Sequence, residues 1–252
     1  RIYSMTKPIT SVAFMMLVEE GKVALDDPVH RFIPEWANLG VFNAGVTGGF
    51  LTKPVARPMQ MVDLLRHTSG LTYGFQNRTN VDAAYRKAGV GEIGSTLPLE
   101  AMIQTLATLP LEFSPGEAWN YSVSTDVLGY LVGKIAGVPF EQFLQERIFT
   151  PLGMTDTGFR VREGQGGRFA SCYNATPKGG LDLQDDATTS PYLQPPSFVS
   201  GGGGLVSTAA DYMKFCQMLL NRGSYDGHQL VAPKTLDLMT ANHLPDGKDL
   251  TQ

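Results

Sequence analysis

The chain has 252 residues, 42% hydrophobic and 17% charged, and its 20 basic and 24 acidic side chains leave a formal charge of −4. That mildly acidic balance has the wrong sign for a surface that grips nucleic-acid phosphates. The longest unbroken apolar run, Val12–Val18, falls well short of the roughly 18–20 residues of a membrane span.

The first predicted element begins almost at once. Ile9, Val12, Ala13, Met16 and Leu17 follow the spacing of a helix with one face in a core, and Gly21 is a natural left-handed stop. Proline lacks an N–H and is tolerated only in a first turn, so Pro8 fixes the start. Counting back places Ser4 at or very near the N-cap, with Lys7 one turn into the helix and on the same face. Backbone N–H groups and the helix dipole favour negative charge at such an end. A partly desolvated ammonium near dipoles or cations gives up its proton more readily. Ser4 and Lys7 therefore read as a nucleophile with an adjacent base. Ser-x-x-Lys alone is weak, expected by chance about once in a chain of this length.

Further along, Ser114-Pro115-Gly116 makes a turn into the aromatic-rich stretch Trp119-Asn120-Tyr121. A second helix follows, with Val127, Leu128, Leu131, Val132 and Ile135 as its apolar stripe and Gly137 as its stop. Tyr121 thus lies on a loop entering a helix, where a phenol near an ammonium can relay a proton between nucleophile and leaving group. The region from about Gly164 to Ser200 is the richest in turns and is expected to shape a pocket. Ser200-Gly201-Gly202-Gly203-Gly204 lacks the Gly-Lys-Ser/Thr of a phosphate cradle. It reads as a close-approach turn before a helix capped by Ser207 or Thr208, with Asp211 in the first turn. Asp185-Asp186 reads as solvated surface. Cys172 and Cys216 read as two core thiols. His30, His67, His228 and His243 show no ligand spacing, so no metal site is expected.

Taken together, Ser4-Met5-Thr6-Lys7 and Tyr121-Ser122-Val123 resemble the first two motifs of the serine β-lactamase and penicillin-binding-protein superfamily. The resemblance extends through Leu64-Leu65-Arg66-His67-Thr68-Ser69-Gly70-Leu71, Phe113-Ser114-Pro115-Gly116, Pro151-Leu152-Gly153-Met154, Thr157-Gly158-Phe159 and Gly203-Gly204-Leu205-Val206-Ser207-Thr208-Ala209-Ala210-Asp211. Order and spacing agree over essentially the whole chain, and the pattern is most similar to the class C branch and to the family VIII carboxylesterases of bacteria. The resemblance implies an α/β (α+β) fold of the β-lactamase/transpeptidase type and a catalytic set of Ser4, Lys7 and Tyr121. It implies no metal or organic cofactor, and a small ester or β-lactam as substrate. It also makes the His67 segment a helix-ending turn, not part of a Ser-His-Asp triad; no Gly-x-Ser-x-Gly elbow is present.

Two departures sharpen that expectation. Class C enzymes usually carry Asn two residues after the tyrosine, contacting the substrate amide and the lysine. Val123 stands there and can do neither, which assigns it to a substrate-binding position of esterase type. The third family motif, Lys-Thr-Gly or Trp-x-Gly, is not found, since Lys234-Thr235 is followed by Leu236. Residues 1–252 are therefore expected to be the central, mainly helical part of one catalytic domain, with the antiparallel sheet supplied largely by other segments. The expected reaction is hydrolysis of short-chain carboxylic esters through an acyl-enzyme on Ser4, its oxyanion held by the Ser4 N–H and by an N–H from the absent edge strand. β-Lactam or D-alanyl peptide cleavage, acyl transfer to an alcohol, and a non-catalytic penicillin-binding module are the competing expectations.

Overall fold

The computed structural model describes residues 1–91, 97–244 and 247. Its centre is helix α1 (Thr6–Glu19), which packs along α5 (Ser124–Ala136). The stripe predicted for α1 is buried as expected. Phe14 and Met15 are buried too, so the helix is enclosed on nearly all sides instead of showing one face to solvent. Gly21 adopts φ +68° just past its end, the left-handed stop read from the sequence. In α5, Val127, Leu128, Leu131 and Val132 are fully buried, Ile135 packs at the margin, and Gly137 closes the helix at φ +73°.

Shorter helices surround this pair: α2 (Met61–Leu65), α3 (Asn80–Ala88), α4 (Leu99–Leu106), α6 (Phe140–Leu144), α7 (Ala209–Leu220) and α8 (Pro233–Met239). Thr208, not Ser207, caps α7, its hydroxyl accepting from the Asp211 N–H. Among the described residues the strands form three antiparallel hairpins: β1 (Gly40–Ala44) with β2 (Leu51–Pro54), β3 (Cys172–Ala175) with β4 (Leu181–Asp185), and β5 (Ser224–Tyr225) with β6 (His228–Gln229).

Ser4 lies next to the N-cap of α1, which is Met5, within the placement read from the sequence; it sits in a 3₁₀ turn, Tyr3–Met5, that opens on Tyr3 at φ +42°. Two expectations are corrected. Asp185 is not solvated surface; it pairs with the Arg1 guanidinium and accepts from Ser190 Oγ at 2.8 Å. The cysteines are free but not core thiols: Cys172 is half-buried beside Tyr3, and Cys216 is exposed on α7.

Candidate active site

The turn that carries Ser4 is held by its surroundings. Ile2 N–H donates to Leu205 O at 3.0 Å, and the Tyr212 hydroxyl donates to Met5 O at 2.9 Å. A left-handed aromatic residue costs roughly 1–2 kcal/mol, so Tyr3 keeps φ +42° only because the turn is tied down on both sides. The result is an exposed Ser4 side chain at the floor of a cleft, with the buried Lys7 below it.

Tyr121 arrives from the other side, on a loop fastened to the His67–Thr72 turn. Asn120 N–H donates to His67 O at 2.9 Å, Asn120 Nδ2 to Leu71 O at 2.9 Å, and Val123 N–H to Thr72 O at 3.2 Å. That turn is anchored by Asp63, a fully buried carboxylate. It accepts a two-pronged pairing from Arg57 at 2.7 and 2.8 Å, Arg66 Nη2 at 3.0 Å and Thr68 Oγ1 at 3.0 Å. Burial raises the Asp63 pKa, but the two guanidiniums and the Gln60 N–H outweigh it and hold the group below its ordinary value. Gly70 at φ +85° is required there, because a Cβ would sit 2.3 Å from Phe113 O.

The structure brings Ser4, Lys7 and Tyr121 together. Ser4 Oγ and the Tyr121 hydroxyl share a hydrogen bond, and Lys7 Nζ donates to Ser4 Oγ at 3.2 Å and to Gly202 O at 2.7 Å. Lys7 Nζ also lies 4.5 Å over the Tyr121 ring and 5.3 Å over the Tyr73 ring. Val123 is not with them. It is fully buried and does not line the cleft, its side chain filling the space beside Gly91. Its side chain packs at the N-terminus of α5.

Several residues at the site carried no sequence signal of a role. Tyr73 is buried, its hydroxyl donating to Asp126 Oδ2 at 3.4 Å, and burial pushes its pKa far up, so it remains a phenol. Asp126 is buried beneath the glycine turn, where desolvation raises its pKa against the pull of Ser200, Gly202 and Lys7. An acidic residue in a helix's first turn is so common that only its all-apolar flank, Val127 and Leu128 following, would have marked it.

The cleft encloses about 350 Å³ and is largely apolar, with Tyr3, Phe75, Phe159, Tyr192 and Phe198 among its walls. The turn-rich segment supplies Pro191 to Ser200 as one wall, as expected of it from the sequence, and Gly202 to Gly204 border the cleft as well. Among the described residues no cluster of His, Cys, Asp and Glu has the makings of a metal site. A hydroxyl, an amine and a phenol in mutual contact beneath an apolar cleft can support acyl transfer.

The family model described as Beta-lactamase matches residues 1–250. An uncharacterized protein of Mycobacterium tuberculosis is 42% identical over 250 residues, covering 98% of this chain and 60% of that protein. Esterase EstB of Burkholderia gladioli is 31% identical, covering 85% of this chain and 55% of EstB. Unliganded simvastatin synthase (LovD) of Aspergillus terreus superposes with a TM-score of 0.79 at 28% identity, over 98% of this chain and 59% of that one. The chain thus spans less than two thirds of the length of these relatives, which include proteins named as acyltransferases as well as esterases.

Proposed function

Since the chain belongs to the β-lactamase family and has its fold, we propose that the protein is a serine hydrolase of short-chain carboxylic esters. The observation that carries the reading is the contact of Ser4 Oγ with both Lys7 Nζ, one helical turn on, and the Tyr121 hydroxyl, 117 residues away in the chain. In the proposed reaction Ser4 Oγ attacks the ester carbonyl while Lys7 and Tyr121, acting as a coupled pair, take its proton and pass it to the leaving alkoxide. The Ser4 N–H stabilises the oxyanion, and water then hydrolyses the acyl-enzyme. The apolar walls favour an uncharged acyl or alcohol group, and the esterases among the relatives support the choice of ester over amide.

A second reading, acyl transfer to an alcohol acceptor, is favoured by the acyltransferases among the relatives. It uses the same acyl-enzyme, with an alcohol replacing water in the second step.

The test compares kcat/KM on p-nitrophenyl butyrate and nitrocefin. The ester is expected to be the better substrate, with an acyl adduct on Ser4 in trapped samples. Ser4→Ala should abolish turnover, and Lys7→Ala or Tyr121→Phe should each lower kcat by about 10³-fold or more. Faster turnover of nitrocefin would make the protein a β-lactamase, and a stable Ser4 adduct without turnover would make it a penicillin-binding module. Product analysis with an added alcohol separates hydrolysis from transfer.

A further inference from the structure

Asp126 is a buried carboxylate to which the reading above gives no task. An acidic residue in a helix's first turn ordinarily serves its own helix. Here the donors come from elsewhere: Oδ1 accepts Ser200 Oγ at 2.5 Å and the Gly202 N–H at 2.9 Å, and Oδ2 accepts the Tyr73 hydroxyl at 3.4 Å. Taking a carboxylate out of water costs several kcal/mol. An apolar side chain would fill this place at the helix terminus without that cost.

The geometry of the glycine turn shows what the carboxylate does. The peptide joining Gly201 and Gly202 is gripped at both ends, its N–H by Asp126 and its carbonyl by Thr10 Oγ1 at 2.8 Å. The next carbonyl, Gly202 O, is the one that accepts from Lys7 Nζ at 2.7 Å. Glycine imposes little on its own torsions, so the direction of that carbonyl depends on how firmly the preceding peptide is fixed. The fit leaves no room for a side chain, since a Cβ on Gly202 would lie 2.6 Å from Asp126 Oδ2 and 2.8 Å from the Tyr73 hydroxyl.

We propose that Asp126 is a positioning residue which, by clamping the Gly201–Gly202 peptide, aims the Gly202 carbonyl at Lys7 Nζ and so keeps the amine 3.2 Å from Ser4 Oγ. The proposal rests on the roles given above to Ser4 and Lys7. It makes the buried carboxylate part of the catalytic geometry, although Asp126 acts only through the glycine turn.

The test combines steady-state kinetics on p-nitrophenyl butyrate, phosphonylation of Ser4 by a fluorophosphonate probe, and crystal structures of the variants. In Asp126→Ala, kcat and the labelling rate should fall by about 10²-fold, the effect of misplacing a catalytic group by around 1 Å, while KM stays within about threefold. Asp126→Asn keeps an oxygen for the Gly202 N–H and should recover activity to within about tenfold of the parent. Ser200→Ala, which loosens the clamp without touching Lys7, should cost about three- to tenfold in kcat. If Asp126→Ala does not fold, Asp126→Asn and Ser200→Ala carry the comparison. The proposal is overturned by a folded Asp126→Asn as slow as Ala, by an effect confined to KM, or by a variant lacking the carboxylate in which Gly202 O still faces Lys7 Nζ. If the parent protein neither hydrolyses esters nor takes the probe, the reading of Ser4 fails. The position of Gly202 O in the variant structures then still decides whether Asp126 holds it.

Discussion

His67 shows how much one residue can combine at this site. Its backbone is left-handed, at φ +58°, and its ring stands 5.1 Å from that of Tyr121 and 6.2 Å from that of Trp119, with Nδ1 3.2 Å from Ser122 Oγ. Burial, helped by the charge of Lys7, lowers its pKa to about 4, so the imidazole is neutral in the native protein near pH 7. The unfolded chain takes up a proton near pH 6.5, and between those values it binds more protons than the native state. Stability from this group is therefore complete above about pH 6.5 and is lost as the pH falls towards 4, by about 3 kcal/mol at most. His67→Asn keeps a residue type that tolerates the left-handed backbone but does not titrate. Melting curves at pH 7 and pH 5 should show a smaller loss for the variant than for the parent, and an equal loss in both would remove His67 as the cause. The raised carboxyls of Asp126 and Glu112 act in the opposite sense and are common to both proteins.

At the scale of elements, the turn from Asp63 to Thr72 is the piece on which the Tyr121 loop is built. Beyond the loop contacts already described, Gly116 N–H donates to Thr68 O at 2.7 Å and Glu112 N–H to Gly70 O at 2.8 Å. Asp63→Ala would leave the partly buried guanidiniums of Arg57 and Arg66 without their shared carboxylate. Breaking a buried pair from one side costs about 3–5 kcal/mol, and denaturant titration should show a loss of that size. Under conditions where the variant is folded, kcat should change by less than about tenfold, because the bonds that fasten the Tyr121 loop to this turn, from Asn120 to His67 O and Leu71 O and from Val123 to Thr72 O, do not involve Asp63. The helices α1 and α5 were legible in the sequence because a 3.6-residue apolar period and a glycine past the end mark each, and α7 because a capping hydroxyl and a first-turn acid mark its start. The shared segments also have a physical basis. Gly158 pairs with Val206, and Thr157 Oγ1 donates to Asp211 Oδ2 at 3.0 Å, so two motifs distant in sequence make one contact. Asp63 and Asp126 were not legible as anchors, since each occupies a first-turn position where an acid needs no special reason. Nor was the 3₁₀ turn at Ser4, which depends on Ile2 being held by Leu205 and Tyr3 by Cys172 across the fold.

Over the whole molecule, the candidate site draws on the first ten residues, the His67–Gln76 region, the Tyr121–Asp126 stretch and the Pro191–Gly204 segment. No one of these has the site in itself; Ser4 and Lys7 are the only pair that local sequence brings together. Joining Ser4 to Tyr121 spans 117 residues, and joining Lys7 to Gly202 spans 195. Closing loops of that length carries an entropic cost that must be met before the contacts repay it, whereas α1 and α5 form from neighbours along the chain. A protein of this size passes through partly ordered states as it folds, and one with its helices formed and the glycine turn still undocked would contain Ser4 and Lys7 but lack the Lys7–Gly202 contact on which the proposed activation of Ser4 depends. After dilution from denaturant, the far-ultraviolet helical signal is therefore expected to return before the ability of Ser4 to take up a fluorophosphonate probe. Recovery of both with a single rate constant would contradict that order. Helical content then says little about competence during renaturation; the moment that matters is the arrival of the last segment.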